Sequence, residues 1–159
     1  MTDRELLRAT IAGAVRAVRQ GSEDDALLLL GRLASISDGA ARESVCELAM
    51  ANVHMLVDLA GGKDDGMLVT LDGVDAEGNQ VAIDEFEPAQ RVATRVLLAL
   101  ANDRPRDAEA QLDIVVATGD PLELGQVFVH TLCWTLELLD NAATTGVEVP
   151  DWLRPVLAF

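Results

Sequence analysis

The chain has no tyrosine, three phenylalanines and two tryptophans among 159 residues. That scarcity removes whole classes of function, because single-strand binders stack bases on aromatic faces and cationic ligands sit in aromatic cages. Lysine is almost as rare, with Lys63 standing against eleven arginines. This bias, together with abundant alanine, is the composition expected from a GC-rich bacterial genome. With 27 acids against 12 cations the formal net charge is −15; phosphate backbones are repelled by such a field, so no direct nucleic-acid binding is expected. The two cysteines, Cys46 and Cys133, match no metal or redox spacing and are expected as buried, reduced thiols. No apolar run approaches the roughly 20 residues of a membrane span, since Leu27–Leu30 gives way to Gly31 and Arg32. Charges of both signs in Met1 to Glu5 leave no secretory h-region. These absences predict a cytoplasmic protein that does not associate with membranes. Missing too are a nucleophile beside a base, a phosphate loop and paired metal ligands, so neither an enzyme nor a resident cofactor is expected.

What the chain does contain is a partial copy of itself. Residues 16–60 return at 98–142 with a constant offset of 82 and nine identities in 45 positions: Ala17, Asp25, Ala26, Leu30, Asp38, Val45, Leu56, Asp58 and Ala60 meet Ala99, Asp107, Ala108, Leu112, Asp120, Val127, Leu138, Asp140 and Ala142. Leu33/Val115 and Val57/Leu139 preserve the apolar pattern. Repeated helical units build scaffolds and binding surfaces more often than reaction centres.

Punctuation divides each copy into three helices. Thr2-x-x-Glu5 is a capping-box spacing, and Leu7, Ile11, Ala14, Val15 and Val18 mark one helical face behind it. Gly21-Ser22 ends that helix, a second carries Ala26, Leu30 and Leu33, and a third runs from about Ala40 to Leu59 before Gly61-Gly62. In the second copy, helices are expected over 87–101, 105–117 and 121–142, the last announced by Asp120-Pro121-x-Glu123. A turn or short helix follows Pro150. The helix pairs holding Ala26 with Leu30 and Ala108 with Leu112 resemble tetratricopeptide units. That resemblance covers one pair per copy, lacks the family's aromatic positions at a much longer period, and carries no binding residues over.

Between the copies, Met67–Leu71 and Gln80–Ile83 flank a connector rich in Gly, Asp and Asn and predict a β-hairpin. Eight acids against Lys63 make the segment from Gly62 to Glu87 strongly anionic. Asp75, Glu77, Gly78 and Asp84 fit part of a calcium-loop template, but Gly73 stands where its first oxygen ligand belongs, and a solvated turn is expected instead.

The fold class predicted is therefore all-α: two tandem three-helix units, 3–61 and 87–143, joined by an acidic β-hairpin or extended insertion over 62–86 and followed by a tail over 144–159. The function expected is that of a non-catalytic interaction or regulatory protein, a scaffold or adaptor binding a protein partner or a second copy of itself. The sixth helix is apolar nearly all round, so it is either central or has one face in a homodimer. Candidate contact residues are Val69 and Leu71 in the hairpin, Val129, Leu132 and Leu136 on the sixth helix, and Trp152 and Phe159 in the tail. An alternative is a small-molecule- or metal-responsive domain with a groove near His54, His130 and Trp134, and a further one is an acidic nucleic-acid mimic. Glu43, Glu47, His54 and Asp58 share one stripe of the third helix, expected as a solvated face, and Arg4, Arg8, Arg16 and Arg19 gather on the first helix, where they could dock an acidic segment.

Overall fold

Thr2 sets the start of the first helix. Its hydroxyl accepts from the Glu5 N–H at 3.2 Å while the Glu5 carboxylate accepts from the Thr2 N–H at 2.7 Å, so each side chain satisfies an amide that has no intrahelical partner. Those bonds hold the Glu5 carboxyl below its ordinary pKa. The computed structural model describes residues 2–36, 39–62, 68–70, 73–74 and 77–158. It is mostly helical, with α1 (Asp3–Arg19), α2 (Glu23–Ile36), α3 (Ala40–Leu59), α4 (Pro88–Ala101), α5 (Pro105–Ala117) and α6 (Pro121–Thr145). Asp120 caps α6 by accepting from the Leu122 N–H at 2.9 Å, and Gly146, with φ +71°, ends it in the left-handed conformation.

The turns after α1 and α4 are closed by corresponding bonds. Gln20, Gly21 and Ser22 donate to Arg16, Val18 and Ala17; Asn102, Asp103 and Arg104 donate to Leu98, Leu100 and Ala99. Gly21 sits at φ +89° and Asp103, 82 positions on, at φ +57°, a conformation that Asp tolerates better than most side chains.

Leu68–Thr70 form no strand. The Val69 N–H donates to Asn102 Oδ1 at 2.7 Å, and Asn102 Nδ2 donates back to the Val69 carbonyl at 3.0 Å; an amide side chain thus occupies the groups a neighbouring strand would need. Antiparallel pairing occurs further along, between β1 (Gly73–Val74) and β2 (Gln80–Val81), over two residues each. Leu71 and Phe159, together with Met67 and Asp75, lie outside the described residues.

At the centre α6 packs against α3 and α4, with further contacts to α5 and α1. Val127, Phe128 and Leu132 are wholly buried, so this part of its apolar surface is covered by its own chain. Where α3 and α6 meet, Asn52 Nδ2 donates to the Thr131 carbonyl at 3.0 Å and the Thr135 hydroxyl donates to Asn52 Oδ1 at 2.7 Å. All three residues are buried, so this small polar network fixes the register of the two helices against an otherwise apolar interior. The tail ends in a 3-10 helix, Asp151–Ala158, that seals α1 with Leu153 and Val156.

Candidate functional site

The cations suspected of docking an acidic segment are largely engaged within the fold. Arg4 and Arg8 each donate through Nε to Glu47 at 2.9 Å, Arg8 lies 5.6 Å from the Trp152 ring centroid, and Arg19 donates to the Val156 carbonyl at 2.9 Å. Glu47 is thereby drawn out of the expected solvated stripe of α3, and Asp58 accepts from the Glu148 N–H at 2.7 Å. His54 remains exposed on that helix. Among the described residues no three His, Cys, Asp or Glu side chains stand close enough to hold a metal ion.

Two grooves open on neighbouring faces of the first turns of α6. The first, about 530 Å³, runs between α2 and α6 and is lined by Leu27, Leu30, Gly31, Leu122, Leu124 and Val129, among others. Leu27, Leu28 and Leu122 are unusually exposed for leucine, with Leu122 at 71% and Leu28 at 63%. The second, about 730 Å³, lies between α4, α5 and α6; Arg91, Arg95, Gln111, Gln126 and His130 stand over a floor that includes Val92, Val115 and Val127. Gln126 and His130 border both. A third cavity of about 400 Å³, nearly all apolar, lies between the C-terminal halves of α3 and α4 beneath Val69 and Thr70.

The candidates named from sequence therefore separate. Val129 lines the α2–α6 groove, Val69 lines the third cavity, and Leu136 and Trp152 are half-buried against the core. Leu132 is wholly buried within the chain, on the helix that α3, α4, α5 and α1 pack against. His130, His54 and Trp134 do not share a groove: His130 lines two, His54 is on the outer face of α3, and Trp134 packs on the core.

The chain matches no protein-family model, no curated protein and no solved structure. Positions 82 apart in the sequence can be compared within the chain itself. At the seam of α3 with α5, Arg42 pairs with Asp113 at 2.6 Å and donates to the Glu109 carbonyl at 3.3 Å. The residues 82 positions away from Arg42, Asp113 and Glu109 are Leu124, Gly31 and Leu27, which line the open α2–α6 groove. One seam is bridged by charge, and the other is left apolar and open.

Cys133 is exposed, contrary to the burial expected, while Cys46 is half-buried; both are free thiols. Partial burial, then the nearby carboxylates Glu23 and Glu137, raise the Cys133 pKa. Since only the thiolate attacks, Cys133 should react with iodoacetamide more slowly than free cysteine at pH 7.4. Its rate should still be climbing with pH where the free amino acid has levelled off, as mass spectrometry of the Cys133 peptide would register.

Proposed function

We propose that this protein is a non-catalytic helical interaction module, built from two duplicated three-helix units, that receives a partner's basic amphipathic helix in the groove between α2 and α6. The duplication is supported by the matching turns after α1 and α4 and by helix boundaries that recur at or near an offset of 82. Docking is supported chiefly by one observation: the α2–α6 seam keeps leucines and a glycine at the positions where the other seam carries an ionic bridge. A surface groove lined by leucine is what a helix with apolar residues on one face fills.

The groove's surroundings favour a basic occupant. Glu23, Asp24 and Asp25 open α2, and Asp120 with Glu123 stands at the start of α6. A second copy would bring the same acids and the same net charge of −15, so like-charge repulsion opposes self-association here.

Transplanting the bridge is the test. The double substitution Gly31→Asp with Leu124→Arg places the counterpart of the Arg42–Asp113 pair in the groove; Leu124 is half-buried against the core, so a loss of about 0.5–3 kcal/mol with the fold retained is expected. Proteins captured by the native chain should be lost at least tenfold by this variant, and their capture by the native chain should weaken as salt is raised. Capture unchanged by the substitution would overturn the reading, as would a native mass by light scattering showing a stable dimer that the substitution dissolves.

A further inference from the structure

We propose that the cleft between α4, α5 and α6 binds a small organic carboxylate with an apolar body, anchored by Arg91. This site is separate from the helix-docking groove, although the internal comparison used to recognise it rests on the duplication proposed above.

Arg91 lines the cleft and is half-buried. One guanidinium nitrogen donates to the Phe86 carbonyl at 3.0 Å, while Nε is buried with no acceptor. No carboxylate among the described residues pairs with Arg91, in a chain holding 27 acids. A part-buried guanidinium without an anionic partner is unfavourable, and an anion entering the cleft that Arg91 lines offsets its charge. Guanidinium and carboxylate match geometrically as well as in charge.

The first half of the chain shows what this seam is when nothing has to enter it. The residues 82 positions before Arg91, Arg95, Gln111, Thr118 and His130 are Ala9, Gly13, Leu29, Ile36 and Leu48. A Cβ at Gly13 would stand 3.6 Å from the Leu29 side chain, so α1 and α2 close on one another there and Leu48 is fully buried. In the second half the same five places are polar or charged, and a cleft of about 730 Å³ remains, within the range of small-molecule sites.

The lining also narrows the ligand's charge. Arg95 is already paired with Asp84, and Glu123 accepts from the Thr118 hydroxyl at 3.0 Å. Glu87 and Glu123 line the same space, so a phosphate or dicarboxylate meets two carboxylates with one arginine that lacks a carboxylate partner to offset them. A monocarboxylate meets that arginine, with Gln111, Gln126 and His130 as hydrogen-bonding neighbours and valines beneath its apolar part.

The experiment uses 3-phenylpropionate and its neutral primary amide as probes of the native chain, read by calorimetry and thermal shift. The acid should bind saturably and at least tenfold tighter than the amide. Arg91→Met should abolish that preference, Arg91→Lys should restore part of it, and Arg106→Ala, on the exposed surface of α5, should leave it unchanged. Equal binding of acid and amide, or a preference that survives Arg91→Met, would overturn the proposal. Should Arg91→Met not fold, Gln111→Leu with Val115→Leu decides the matter, since it restores the packing of the first half; it should raise the melting temperature and weaken the acid at least tenfold. Acid binding that survives Gly31→Asp with Leu124→Arg keeps this site distinct from the docking groove, so either proposal can fail without the other.

Discussion

Asn52→Asp should cost the fold about 3–5 kcal/mol at neutral pH, the loss expected when an uncompensated charge is buried. At about 2–4 °C per kcal/mol for a chain of this size, the melting temperature falls by roughly 6–20 °C. Asn52 is fully buried and uses both ends of its amide, donating to the Thr131 carbonyl and accepting from the Thr135 hydroxyl. An ionised carboxylate can still accept from Thr135 but turns a second acceptor toward the Thr131 carbonyl. The new carboxyl therefore has a folded-state pKa raised above its unfolded value of about 4. The destabilisation grows as pH rises through that unfolded value and up to the folded one, and it recedes in acid, where the protonated group again donates to Thr131. Urea unfolding of both chains at pH 7 and pH 4.5 checks this: the difference between them should shrink at the lower pH. A loss equal at both would mean that residue 52 is hydrated.

Leu132→Ala should remove about 2–5 kcal/mol, the range for truncating a buried leucine, and should do so without changing native mass. Leu132 lies wholly buried on α6 among side chains from the helices that cover it, and the transfer and cavity costs both fall on folding. Light scattering below the transition, combined with a urea titration, separates this from an interface role. An altered mass with unchanged stability would return Leu132 to a subunit contact.

Leu132 also illustrates where linear information stops. The apolar girth of α6 announced that more than one face is covered, but not by what. Caps were legible because they are local: Thr2 with Glu5, and Asp120 with Leu122, place their hydrogen bonds within three residues of each other. The segment 68–70 misled because its apolar alternation fits a strand, whereas Asn102, far along the chain, takes up the Val69 backbone. His130 shares a cleft with Arg91 and Gln111, which reach it from other helices, a convergence that no single stretch of chain records.

From sequence alone came the helix boundaries and the acidity, consequences of local hydrogen bonding, periodicity and composition. Tertiary structure alone decided which seams close. Arg42–Asp113 against Leu124 and Gly31, or Gly13 and Leu29 against Arg95 and Gln111, are contrasts between residues on separate helices. Whether such pairs touch, bridge or stand apart depends on how helices pack, and packing is set by the whole core at once rather than by any one stretch of chain.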